Sequence, residues 1–440
     1  MKTTLLKCMS AVSLLAVLAM PVRLVAQEQS ATQEQKPNPA RYTITDLGVV
    51  GGAPGQPYFI RNNGLVSGAA AIADGNMHAV LWYKGQMIDI GTAGLGGPNS
   101  AAFGVNERGQ AVGQAETSVT DAEDFCGFNA YGFPSSTACV PFLWQYGVMT
   151  QLPTLGGDNG YANMINNRGE VAGIAETGAM DQTPGCPVHQ FEPVTWKNGV
   201  IHELPTYPGD SDGVAAKLND KGQVVGASGT CGSFNPHTGL YLVENHALLW
   251  ENGAATDLGN LGGEGGLAGN HACAINNQGQ VVGHSELLNN TTFHGFLWTR
   301  ETGMQDLGTL PGDFASLSLG INDGGVVVGA SLGPGLSTSR AFLWEKGMMT
   351  DLNTLVPVNP GNLYLLLGES INSTMEIIGL AVDGAGFLHG FLAIPRHGEA
   401  DSESASQGVT SPMVLSDDAR KLLQQQLRFR RFGGRPTGPQ

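Results

Sequence analysis

The sequence predicts an all-β fold, a seven-bladed β-propeller of four-stranded blades, on three observations. Four short apolar elements recur in step, each seven times, at a period of about 50 residues. The elements are rich in β-branched and aromatic residues and are bounded by Asn, Asp and Gly, which is the pattern of strands joined by turns. Residues 41–395 hold no stretch of helical periodicity. A parallel β-helix would need shorter coils of nearly constant length, and a sandwich would not repeat.

The first element is FLW-like and ends at Trp82, Trp144, Trp196, Trp250, Trp298 and Trp344, with a seventh copy, HGFLA, at Ala393. The second is DLG-like, at Asp46, Asp89, Gln151, Glu203, Asp257, Asp306 and Asp351. The third ends in IN or a variant, at Asn62, Asn106, Asn166, Asn219, Asn276, Asn322 and Asn372. The fourth, VVG-like, ends at Gly68, Gly113, Gly173, Gly226, Gly283, Gly329 and Gly379. Between IN and VVG lie pieces such as NERGQ and NNQGQ, and between FLW and DLG pieces such as KNG and EKG. Both are tight turns in which Gly supplies positive φ at little cost. The phrase HGFLWTRETGMQDLGTL with its partners resembles the bacterial HAF repeat family, described as probable extracellular repeats, over about residues 41–395. That resemblance implies an extracellular repeat protein and no particular chemistry.

The order within a blade is expected to be IN, VVG, FLW, DLG from the axis outward, because the IN strands carry the small residues that a crowded axis admits, as in HACAIN. The chain opens on a DLG strand and stops on an FLW strand, so Tyr42–Leu47 should pair with Gly390–Ile394 and close the ring. Closure removes a free sheet edge. Alternating strand direction puts both tight turns on one face. The loops after DLG and after VVG then share the other, and the latter are long at Gln114–Val140, Ile174–Glu192 and Ala227–Asn245. Variable loops on a rigid scaffold are where binding concentrates.

Residues 1–26 read as a secretory signal peptide: Lys2 and Lys7 precede an apolar core, Met9 to Met20, with small residues near Ala26. Residues 27–40 read as a disordered linker, and 396–440 as a polar linker with a short basic helical tail. No other stretch reaches the roughly 20 apolar residues of a membrane span. A secreted or periplasmic location follows, in which disulfides are stable. Cys126–Cys139 would close one long loop, Cys186–Cys231 would join the same loop of neighbouring blades, and Cys273, inside HACAIN, reads as a buried thiol. The net charge of −16 argues against nucleic-acid partners. The basic tail, with Arg428, Arg430 and Arg431, suits docking on the acidic ring, a membrane surface or an anionic polymer.

No catalytic residue, metal site or cofactor motif stands out. The repeated Asp of DLG reads as a turn cap and the Trp set as packing between blades, because a residue present in every unit serves the unit. GASLG at Gly329–Gly333 copies the end of a VVG strand and lacks the following helix of a nucleophile elbow. Asp158, Asp210, Glu264 and Asp313 follow the Gly-Gly or Pro-Gly loops and are the candidate ligand-binding carboxylates. The expected function is a binding or surface scaffold acting through the long-loop face, on a glycan or an extracellular protein. The rival is a carbohydrate-active enzyme with two carboxylates at the axial mouth. Repeat-breaking side chains with raised carboxyl pKa on that face would favour the enzyme.

Overall fold

A computed structural model of the chain describes residues 42–50, 53–92, 94–121, 125–128, 133, 135–184, 186, 188–235, 240–263, 269–356, 360–396, 412–416, 419, 420 and 423. The signal peptide, the first linker, Glu264 and Arg428, Arg430 and Arg431 lie outside the described residues. The described chain forms seven antiparallel sheets: six hold four repeat strands in sequence order, and the seventh joins Tyr364–Ile371, Ile377–Val382 and Leu388–Pro395 to the N-terminal Tyr42–Val50, with the short Ala53–Pro54 beyond it. Blade 5 shows the plan: His271–Ile275, Val281–Glu286, Phe293–Thr299 and Gly303–Asp306. The IN strands of the blades surround a common axial cavity, so they are the innermost strands, as the small residues require.

The ring closes between its two chain ends. Tyr42–Val50 lies against Leu388–Pro395 as the outer strand of blade 7, with Thr43 opposite Ile394 and Asp46 opposite Phe391. Tyr42 and Ile44 are buried at this seam. The Gly of VVG is repeated for a steric reason. A bulge in each IN strand pushes a carbonyl toward it, and a Cβ on Gly113 would meet Ala101 O at 1.8 Å. The FLW turns place Lys84, Tyr146, Asn198, Asn252 and Lys346 at positive φ, each followed by a positive-φ Gly, which is the two-residue hairpin geometry.

The three insertions differ from expectation in form. Much of their length extends the middle strand pair rather than forming loop, as in Val224–Asn235 with Leu240–Glu251 of blade 4. Antiparallel pairing satisfies backbone groups that a free loop would leave to water. Both expected disulfides are present. Cys126–Cys139 has Cα atoms 5.3 Å apart, and Cys186–Cys231 crosses from blade 3 to blade 4 with Cα atoms 5.7 Å apart. Cys273 is outside both bridges and is half-buried rather than buried. Among the described residues no helix is long and apolar enough to cross a membrane.

The long-loop end of the ring is covered in two ways. Over blades 1–4, Tyr58, Phe103 and Tyr161 of the inner strands pack with Phe125, Phe128 and Phe133 of the blade 2 insertion. Over blades 6 and 7, a C-terminal segment sets Leu415, Ala419 and Leu423 onto Leu317, Leu332, Leu366 and Val382. Leu415 N donates to Ser337 O, and Ser416 Oγ accepts from Ala419 N as a helix cap. The described residues of this segment therefore pack on the ring through Leu415, Ala419 and Leu423.

Candidate functional site

Six of the seven IN asparagines form a ring at the tight-turn end. In each, Oδ1 accepts backbone N–H groups of its own turn, as from Arg108 and Gln110 to Asn106. Nδ2 donates to the next blade: Asn106 to Asn166 O, Asn166 to Asn219 O, then Asn219 to Asn276 O. Asn276 continues to Asn322 O, Asn322 to Asn372 O, and Asn372 to Arg61 O. The repeated Asn thus serves both turn and inter-blade contact. A second ring lies one residue on, where Asp220 accepts from Asn167 N and Nδ2, and Asp323 from Asn277 N and Nδ2.

Blade 1 corrects the sequence reading. Arg61, not Asn62, holds the ring position: its N–H donates to Leu65 O four residues on, as Asn106 N does to Gln110 O. The guanidinium cannot copy an amide. It reaches to the next two blades instead, with Nε donating to Val105 O at 2.7 Å and Nη2 to Ile165 O at 2.5 Å. Its carbon lies 4.9 Å from the Phe59 ring centroid, and Lys217 Nζ lies 5.0 Å from the same ring. Burial lowers the Arg61 pKa, while Asp220, Glu107 and Asp323 act to hold the charge. These groups line an axial cavity of about 90 Å³ that opens to solvent. Its walls offer donors from Arg61, Lys217 and Asn277 and acceptors from Asp220, Asp323 and Glu107.

The candidate carboxylates of the opposite face are placed differently. Asp210 accepts from Ser228 Oγ at 2.5 Å and lies 2.8 Å from His246 Nδ1. Asp313 pairs with Arg340 at 2.9 Å. Both side chains are buried, and each is engaged within its own blade. Asp158 is exposed. His246 and Arg340 stand four residues before the FLW Trp, the position also of His78, His294 and His389. Those three pair with the DLG aspartates: His78 with Asp89, His294 with Asp306, and His389 with Asp46 across the closing seam. The same aspartates cap their turns, as Gly91 N to Asp89 Oδ1 at 2.8 Å shows. Sequence reading found the cap and missed the His partner, although the H of HAF repeats with the D of DLG.

No protein-family model and no curated protein matches this chain. Among solved structures it is similar to the β-propeller domain of the Trilobed protease from Pyrococcus furiosus. That match has 8% identity, 85% of this chain and 99% of that chain covered, and a TM-score of 0.43. Dipeptidyl peptidase 4 of Porphyromonas gingivalis matches at 10% identity over 78% of this chain and 59% of that one, with a TM-score of 0.38. A PL25 ulvan lyase matches at 11% identity over 80% and 85%, with a TM-score of 0.29. The propeller is established by the sheet order of the chain itself.

Blade 3 departs from the His–Asp plan. Glu192 takes the His position and Glu203 the DLG position. Burial, then Glu203 and Asp212, push the Glu192 carboxyl up to about 8. Nearby, Asp181 shares Ser211 Oγ with Asp212. Asp181 also lies beside Cys186 and Cys231, but those sulfurs are bonded to each other and offer no thiolate to a metal.

Proposed function

We propose that this protein is an exported binding scaffold of HAF-repeat type that takes the hydroxyl-rich end of an extracellular glycan in the axial cavity of its tight-turn face. One observation carries the reading: the sevenfold ring is broken at this cavity, by Arg61 where the other blades have Asn. Lys217 joins it at a position held elsewhere by Phe59, Gly104, Met164, Ala274, Gly320 and Ser370. A hydroxyl both donates and accepts, which suits walls that mix amides, cations and carboxylates. The two disulfides fit export to an oxidising compartment. The long-loop face, with its aromatic cover and docked tail, presents packed surface. The test is a glycan array probed with the wild-type protein, Arg61→Ala, Lys217→Ala, and the pair Asp210→Asn and Asp313→Asn. Binding lost in the first two variants and kept in the last supports the cavity, whereas the reverse pattern returns the site to the long-loop face.

A second reading is favoured by Glu192, a carboxyl protonated at neutral pH beside another glutamate. Such a pair fits general-acid work on a polysaccharide. Release of reducing ends from acidic and neutral polysaccharides, abolished in Glu192→Gln, would support it. Turnover unchanged in that variant would remove it.

A further inference from the structure

We propose that a pocket between blades 4 and 5, on the tight-turn face, binds an uncharged sugar residue. The pocket encloses about 320 Å³, at the small end of the roughly 300–1,000 Å³ of small-molecule sites. Its walls include Gln223 and Leu249 of blade 4 and Gln280, Trp298, Thr299 and Arg300 of blade 5. It shares no lining residue with the axial cavity, so the two sites can be tested apart. The pocket exists because blade 5 breaks off a hydrogen-bond chain that its neighbours complete. Four residues after the ring Asn, a side chain accepts from that Asn and bonds the residue that follows the FLW Trp. In blade 2, Gln110 Oε1 accepts from Asn106 Nδ2 and Gln110 Nε2 donates to Gln145 Oε1. Gln223 does the same between Asn219 and Glu251 in blade 4, and Glu170 links Asn166 and Lys197 in blade 3. In blade 5, Gln280 Oε1 accepts from Asn276 at 2.7 Å, but the residue after Trp298 is the short Thr299, whose hydroxyl turns to Thr302 at 2.9 Å. Gln280 Nε2 is left without a hydrogen-bond partner among the described residues, at the wall of the pocket.

The hairpin beside the pocket departs from the repeat as well. In blade 4 Glu251 pairs with Ala254, which leaves two loop residues, as in blades 1, 2, 3 and 6. In blade 5 Thr299 pairs with Gly303, which leaves Arg300, Glu301 and Thr302. Arg300 of this longer loop reaches blade 4, where Nη2 donates to Glu251 Oε2 at 3.0 Å. The groups gathered here select the ligand. The Gln280 amide donates, the Thr299 hydroxyl does both, Glu301 accepts, and Leu249 and Trp298 offer apolar surface. A sugar ring, with hydroxyls at its edge and an apolar face, meets each of these needs. A carboxylate or sulfate would face Glu251 and Glu301, and Arg300, the one cation of the pocket, is already paired; an ammonium group would face Arg300 itself.

The test is saturation-transfer NMR on the full chain, with methyl glycosides of neutral hexoses as probes and glucuronate and glucosamine as charged controls. The expected result is saturable transfer from the protein to at least one neutral glycoside. Thr299→Gln restores the pairing seen in blade 2 and fills the pocket, and should weaken that binding at least tenfold. Gln280→Ala and Arg300→Ala should each weaken it several-fold. Absence of transfer to every neutral glycoside at up to about 10 mM overturns the site. So does preference for a charged control, or binding unchanged in Thr299→Gln. Binding kept in Thr299→Gln and lost in Arg61→Ala would place the sugar in the axial cavity, which overturns this site while sparing the other. Far-ultraviolet circular dichroism of each variant separates loss of contact from loss of fold.

Discussion

The covers over blades 1–4 and over blades 6–7 solve one problem by different means. Both shield the apolar long-loop ends of the inner strands. Over blades 1–4 the cover grows out of the blades and is pinned by Cys126–Cys139 and Cys186–Cys231. Over blades 6–7 it comes from the far end of the chain and is held by Leu415, Ala419 and Leu423 without a covalent link. The first is expected to open only with the blades beneath it. The second can undock while the ring stays folded, because no blade sheet takes a strand from it.

Breaking the ring itself removes the support common to both covers. Deleting residues 27–48 strips the outer strand of blade 7 and exposes a sheet edge. Calorimetry should find cooperative unfolding lost, or aggregation; a truncated protein that melts like the parent would refute the seam. Next in size is the Cys186→Ser, Cys231→Ser pair, expected to destabilise by about 2–4 kcal/mol in denaturant titration. Leu423→Ala would cost about 2–5 kcal/mol in a fixed core. Here it is expected to leave the global melting temperature within a few degrees, while dye binding to exposed apolar surface rises and the Arg420 amide loses protection from exchange. A global melting shift as large as that of the disulfide variant would mean that the two covers are equivalent after all.

Two smaller effects sharpen the contrast. Glu192 is raised to about 8 by burial, Glu203 and Asp212, so the folded state holds a proton that the unfolded state has lost above the ordinary glutamate range. Stability should therefore fall as pH rises from about 4.5 to about 8 and level off beyond, and Glu192→Gln should flatten that slope. Denaturation midpoints across that range decide it. Among the carboxylates, Asp313→Asn leaves Arg340 buried with its ion pair weakened and should cost about 1–3 kcal/mol. Asp158→Asn, on an exposed side chain, should stay within about 0.5 kcal/mol.

The sequence by itself determined the elements that repeat. Strand identity, the innermost place of the IN strands, the closing strand at Tyr42 and both disulfide pairings were legible, because each follows from a local pattern copied seven times and from one rule of alternating direction. The same copying hid what happens once. Arg61 and Asn62 are adjacent, and only the backbone register tells which of them takes the ring position; a slip of one residue turns a side chain to the other face of a strand. That Arg61 reaches Val105 and Ile165 of the next two blades, and that Asp210 and Asp313 are drawn to bases four residues before the FLW Trp, were decided in three dimensions. The apolar surface under Leu415, Ala419 and Leu423 was decided the same way, because it is assembled from two blades. Periodicity is a property of neighbours along the chain, whereas a site is made by residues that meet only after the chain has closed on itself.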